Sequence, residues 1–260
     1  KKEAEMMAES GRISAEGHVV AMKACRPGMQ EYQLEAVYIN HFMNQGCRLQ
    51  AYPSIVGGGA NACILHYTNN DQPLQDGDLV LVDAGAEYGL YAGDITRTFP
   101  VNGTFSAAQR ALYDVVLAAQ LAAIAEVKPG NHWNQPHEAA VKVLTAGLVE
   151  LGILTGEVDT LIKDEAYKPF YMHKTGHWLG LDVHDVGEYK VGDAWRLLEP
   201  GMALTVEPGL YIAPTAKGVA KKWRGIGIRI EDDLLVTKEG CQVLTADVPK
   251  QADEIEQLMA

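Results

Sequence analysis

Residues Leu79–Phe99 read LVLVDAGAEYGLYAGDITRTF. Two β-rich runs each deliver one aspartate, Asp83 and Asp94. The first, 79–83, is a short apolar strand that stops at a carboxylate followed by Ala84-Gly85. Tyr91 to Phe99 is its expected hairpin partner, with Glu87, Tyr88 and Gly89 at the turn. Pairing across that turn sets Asp83 beside Asp94. Two carboxylates held together in a sheet repel unless something positive sits between them. A hard divalent cation meets that need. Oxygen cages suit Mg, Mn or Ca, and mixed carboxylate–imidazole sets admit Mn, Co, Fe or Zn.

The same pattern returns downstream. Gly77–Gly85 (GDLVLVDAG) is echoed by Gly201–Gly209 (GMALTVEPG), a strand ending in Glu207. Each is followed by a second strand with a second acid, Asp94 in one case and Glu231 in the other. Two αα-ββ halves related by an approximate two-fold axis would gather all four acids. An acid at a strand end is often merely solvated, but four at matching points of two similar hairpins form a pattern. His177 lies in the glycine-flanked run 170–189, FYMHKTGHWLGLDVHDVGEY, and makes a fifth ligand. Four carboxylates balance two divalent cations, with two acids bridging and the others capping one ion each. Paired ions acidify a shared water and polarise the group it attacks, so the expected chemistry is metal-assisted hydrolysis. His66, His173 and His184 exceed the ligand count. Their glycine-rich surroundings suit donors to a tetrahedral intermediate. Arg229 shares a strand face with Glu231, where it can orient that carboxylate or grip a substrate.

The remaining pattern supplies the scaffold. Apolar or small residues at helical spacing predict helices over about 3–25 and 31–45, separated by Pro27-Gly28. Further helices are expected over about 107–126, opened by a Ser106/Gln109 capping box, and over 133–151, 156–165 and 250–259. Strands are expected at 54–56, 64–67 (carrying His66), 202–207 and 225–231. In the last, Ile226, Ile228 and Ile230 alternate with Gly227, Arg229 and Glu231. The triple glycine 57–59 lacks the Lys-Ser/Thr of a phosphate loop, so a close backbone turn is expected there. No linker-like stretch divides the chain, and residues 1–260 read as a single domain. Its first residue is not methionine, which suggests a piece of a longer protein.

Composition narrows the partners. With 34 acids against 22 Lys and Arg, the net charge of −12 argues against nucleic acid or an anionic membrane surface. No apolar run reaches the roughly 18–20 residues of a membrane span. Four scattered cysteines without metal-knuckle spacing read as reduced thiols, so a cytoplasmic location is expected.

Four stretches together carry a family likeness: 82–105 (VDAGAEYGLYAGDITRTFPVNGTF), 173–187 (HKTGHWLGLDVHDVG), 205–212 (TVEPGLYI) and 225–233 (GIGIRIEDD). They closely resemble the X-Pro aminopeptidase (aminopeptidase P) family of bacterial type. That family groups with prolidase, methionine aminopeptidase and creatinase. The resemblance covers nearly the whole chain. It implies an α+β pita-bread fold, a pseudo-two-fold curved antiparallel sheet with helices packed on its outer face. It implies a dinuclear site, manganese first with cobalt or zinc as alternatives. Asp83 would chelate one ion, Asp94 and Glu231 would bridge both, and His177 and Glu207 would bind the other. Glu207 would assist the water, and His66, His173, His184 and Arg229 would line the pocket. The implied reaction removes the N-terminal residue from peptides with proline second. That bond lacks an N–H for strand-like recognition, so a dedicated pocket is needed. The resemblance also implies an additional N-terminal domain upstream and a homo-oligomer when full length. The alternatives are a prolidase restricted to X-Pro dipeptides and a non-catalytic pita-bread binding module.

Overall fold

The computed structural model describes residues Lys1–Ala260. Two helix pairs flank a curved antiparallel sheet. Helices α1 (Lys2–Ala24) and α2 (Glu31–Asn44) belong to the first half, and α3 (Ala107–Ala125) and α4 (Gln135–Glu150) to the second. The sheet runs from Ile55–Gly58 to Leu79–Asp83 to Thr96–Pro100. It continues through Ile226–Arg229 and Asp232–Val236, which pair with Gly209–Ile212 and Ala203–Val206. Arg229 N bonds Thr98 Oγ1 and Glu231 N donates to the Thr96 carbonyl, joining the two halves. This is the expected α+β, two-fold-like layout.

The hairpin that delivers the two aspartates differs from expectation in one respect. Leu79–Asp83 pairs with Thr96–Pro100, not with Tyr91 onward, and the register sets Asp83 opposite Thr96. A separate short hairpin, Glu87–Tyr88 against Tyr91–Ala92, stands between the two strands. Its tip, Gly89-Leu90, has positive φ at both residues, the twist that closes a two-residue turn. The Ala84 amide still donates to the Ile95 carbonyl at 3.0 Å, so the ladder continues and Asp94 falls opposite Gly85. That position tolerates only glycine, because a Cβ there would lie 1.8 Å from the Gly93 carbonyl.

In the second half the register also runs through a break. Val206 faces Asp232 and Gly209 faces Arg229, which sets Glu207 opposite Glu231. Pro208 removes an amide from the ladder at that point, and Ile230 N bonds its carbonyl instead. The expected strand at 64–67 does not form: these residues follow a 3-10 turn, Gly59–Cys63, and His66 sits in an exposed loop. The glycine run gives the expected close turn, with Gly57 and Gly58 ending a strand and Gly59 at φ +53°. The Ser106/Gln109 capping box is reciprocal, and helix α3 starts where that motif places it. Helix α4 begins at Gln135 rather than 133, which leaves Trp133 in a loop.

Polar residues on buried helix faces explain how the site loops are held. On α1, Ser10, Ser14 and His18 recur at i, i+4 and i+8 on one face. Ser10 Oγ donates to the Ala86 carbonyl, Ala86 N donates to Ser14 Oγ, and His18 Nε2 meets the Ala84 carbonyl at 2.9 Å. They satisfy the backbone immediately after Asp83, which otherwise would be buried without partners. Burial holds His18 at about 3, so its ring is neutral.

Behind Glu231 lies an ionic cluster. Arg97 and Asp232 are fully buried and paired at 2.7 Å. Lys250, Gln120 and Thr245 also bond Asp232, and Arg97 donates to the Glu231 carbonyl at 2.6 Å. Burial alone would raise the Asp232 carboxyl, but Arg97 and Lys250 outweigh it and hold it at about 2. A depressed carboxyl stabilises the fold above its ordinary pKa of about 3.9 and loses that contribution as pH falls through its folded value. Asp232→Asn therefore lowers stability by about 3–5 kcal/mol near neutrality, since it strands Arg97. Urea unfolding between pH 7 and pH 2 checks this: the gap between wild type and variant should narrow only below about pH 4.

Candidate metal centre

Strand ends and one loop bring Asp83, Asp94, His177, Glu207 and Glu231 to a single cavity of about 690 Å³. Asp94, His177 and Glu231 are buried, and each offers a ligand atom within 4.8 Å of the others. His177 Nε2 lies 3.2 Å from Asp94 Oδ2 and 3.6 Å from Glu207 Oε1. Its Nδ1 is 2.9 Å from the Trp178 carbonyl. That bond takes the Nδ1 proton and leaves Nε2 facing the acids, the arrangement of a ligating imidazole. Tyr52 links the first two acids, donating to Asp83 at 2.5 Å and meeting Asp94 at 2.7 Å. Thr96 Oγ1 donates to Glu231 at 2.6 Å.

Arg229 is buried and pairs with Asp83 at 2.7 Å. It shares a strand face with Glu231 but bonds the other half's acid, together with Thr96 and the Tyr211 hydroxyl. Its orienting contact is thus to Asp83. Tyr211 in turn meets His173 Nε2 at 2.8 Å, completing a chain from the acids to the pocket wall. Burial, then the Arg229 charge, lowers His173 to about 4. His184 lies against His177 with ring centroids 3.9 Å apart and planes tilted by 33°, and His66 also lines the cavity.

The electrostatics describe an acid cluster with too little compensation. Burial pushes Glu231 well above the carboxylate range, and Asp94 adds to it. Asp94 is raised for the same reason, against the pull of His177. Burial takes Glu207 up to about 7 although His177 and Arg229 oppose it. Burial would lower His177, but its contact with Asp94 raises it to about 9. Four carboxylates and one imidazole, with a single guanidinium already paired to Asp83, form a donor set that fits hard or borderline divalent cations.

Several contributors escaped the sequence reading. Tyr52 sits in an undistinguished stretch, AYPSIV, and nothing there announces it. Thr96 was within reach: it lies two residues after Asp94, where a strand returns to the same face. Tyr211 falls inside TVEPGLYI, and Thr205 Oγ1, in the same stretch, receives the His177 amide at 3.2 Å. Asp233 accepts from the Asp94 amide at 2.9 Å.

A fold of two pseudo-symmetric halves with acids and one imidazole at their junction defines a metallopeptidase-type architecture. Residues 5–238 match the description of metallopeptidase family M24, and the chain belongs to that family. The Xaa-Pro aminopeptidase of Haemophilus influenzae is 55% identical over 257 residues, covering 99% of this chain and 59% of the relative. The human Xaa-Pro dipeptidase is 38% identical over 291 residues, covering 99% of this chain and 59% of that protein. The aminopeptidase PepP structure from Pseudomonas aeruginosa superposes with a TM-score of 0.98 at 60% identity, covering 99% of this chain and 58% of that one. The chain spans a little under three-fifths of these relatives' length.

Raised groups stabilise the fold below their ordinary pKa and lose that contribution as pH rises through the folded value. For Glu207 and His177 the losses run up to about 7 and about 9. Protein stripped of divalent ions by a chelator should therefore weaken from pH 5 to pH 8.5, and added Mn²⁺ should raise Tm more at pH 8.5 than at pH 5. Scanning calorimetry checks this, and an equal gain at both pH values would count against the acid cluster as the binding site.

Proposed function

We propose that this chain is the catalytic part of an X-Pro aminopeptidase, cleaving the bond between the first residue and a following proline. The observation that supports it most is the meeting of five ligand-type side chains from separate strand ends and a loop in one cavity. In sequence the chain sits nearer the aminopeptidase relative, at 55% identity, than the dipeptidase, at 38%. Asp83, Asp94, His177, Glu207 and Glu231 would hold two divalent ions, manganese first, with Asp94 and Glu231 shared between them. The bound ions would supply Lewis acidity and a nucleophilic water at neutral pH.

The protein's own groups do the rest. Glu207, at the cavity wall 3.6 Å from His177 Nε2, is placed to assist the attacking water by taking and returning a proton. Tyr52 and Arg229 donate to the two oxygens of the Asp83 carboxylate and orient it. His66, His173 and His184 line the wall where a tetrahedral intermediate would need donors. The proline ring has no N–H to pair with a strand, so recognition must come from this shaped cavity. We also propose, from the scattered reduced-type cysteines and the sequence resemblance, a cytoplasmic enzyme that is homo-oligomeric in its intact form, with a further domain beside this single catalytic one.

A prolidase reading differs only in substrate length. In the ion-loaded intact protein, X-Pro-Y peptides should be hydrolysed, and cleavage of X-Pro dipeptides alone would favour prolidase. Asp94→Ala or Glu231→Ala should lower kcat by at least about a thousandfold, a loss of about 4 kcal/mol of transition-state stabilisation. Steady-state kinetics with saturating Mn²⁺ checks this, and near-normal turnover would remove the shared-ligand role. A chelator should inactivate the enzyme, with Mn²⁺ restoring it best. Recovery with Zn²⁺ alone would overturn the choice of manganese.

A further inference from the structure

Three aromatic residues line the cavity without taking any part in the acid cluster: Trp133, Tyr189 and Trp195. They come from two separate segments, the loop before α4 and the hairpin Lys190–Val191 with Ala194–Trp195. Backbone bonds tie these segments together. Trp133 N donates to the Arg196 carbonyl at 2.8 Å, Leu198 N to Asn131 at 2.8 Å, and Arg196 N to Tyr189 at 3.0 Å. Behind them lies the buried Trp178. Its ring centroid is 4.1 Å from Trp133 and 5.8 Å from Tyr189, the latter stacked at 16°, while Trp133 and Tyr189 are 4.6 Å apart. Trp178 directly follows His177, so the wall is anchored beside the imidazole of the acid cluster. Gly187 preserves the seat of that ring, since a Cβ there would approach Trp178 to 2.4 Å. Lys190 Nζ lies 4.5 Å from the Trp195 ring centroid and braces it as a cation–π pair.

A partly exposed trio of large aromatics, two of them backed by Trp178 and the third braced by Lys190, lining the same cavity as the acid cluster, is a ready binding surface for apolar side chains. We propose that Trp133, Tyr189 and Trp195 form a specificity subsite for an aromatic or large aliphatic side chain at the third or fourth residue of the peptide. This rests on the aminopeptidase reading. An enzyme that removes one residue leaves almost nothing of its substrate on the N-terminal side of the scissile bond. The remainder must leave the cavity by its walls and mouth, and the aromatic wall lies on the side formed by the 133–134 and 183–195 segments. The acid cluster marks the reacting end, and the aromatic rings hold what trails behind.

The test uses the intact, Mn²⁺-loaded protein and two peptide pairs, Ala-Pro-Phe against Ala-Pro-Gly and Ala-Pro-Gly-Phe against Ala-Pro-Gly-Gly. Wild type should favour phenylalanine in one pair by about tenfold in kcat/KM, expressed mainly in KM because the contact is uniform through the reaction. Trp133→Ala and Trp195→Ala should bring that ratio to within about twofold of one, and Trp133→Phe should keep it. Comparing ratios within each variant separates a lost subsite from a general loss of structure, which would depress both peptides alike. A wild-type ratio near one in both pairs overturns the subsite while leaving the peptidase intact, and so does a tenfold preference surviving both alanine variants. Failure to cleave any of the four peptides overturns the peptidase reading and the subsite with it.

Discussion

The structure depends on the repulsion among four carboxylates that the sheet forces together. Asp94 and Glu231 are 4% and 1% exposed and come from opposite halves of the molecule. Water cannot screen them from each other, and burial favours protons or cations over bare charge. The surroundings hold the acids in place without neutralising them. Tyr52 and Thr96 donate hydrogen bonds, Arg229 pairs directly with Asp83, and His177 is the one cationic partner at Asp94, too little charge for four carboxylates. A protein that spends so much structure on keeping acids together and uncompensated is arranged around cations.

The scaffold divides charge by side of the sheet. In the run Glu231-Asp232-Asp233, alternation sends Asp232 to the helix side, where Arg97 and Lys250 neutralise it. Glu231 turns to the cavity, where no lysine or arginine reaches its carboxylate, though Arg97 anchors its carbonyl from behind. Three consecutive residues of similar chemistry thus have separate tasks, set by strand periodicity and by what each face meets. The polar stripe Ser10, Ser14 and His18 on α1 has a comparable purpose. It satisfies the Ala84–Ala86 backbone so that the turn after Asp83 can be buried.

Much of this was legible in the sequence because it rests on local rules. Strands ending in acids, the Ser106 capping box and the Gly-Pro punctuation each act over a few residues, and the repeat of GDLVLVDAG in GMALTVEPG exposed the two-fold plan. What failed involved longer-range choices. Tyr91–Phe99 reads as the hairpin partner of 79–83, and its second half from Thr96 is that partner, but the Gly89-Leu90 turn closes a hairpin of its own with Tyr91–Ala92. Ile64–Tyr67 has strand-like residues, yet Glu31, buried on α2, captures Gly58, Asn61, Tyr67 and Gln72 and folds the segment into a loop. Tyr52 and the aromatic wall depend on tertiary placement and leave no spacing to read.

The central claim is that the convergent acids form a cage for two divalent ions, and anomalous scattering from crystals grown with Mn²⁺ tests it most directly. The account predicts two manganese peaks enclosed by Asp83, Asp94, His177, Glu207 and Glu231, with Asp94 and Glu231 touching both. A map with no peak among these residues, or with manganese bound only elsewhere on the surface, would contradict it.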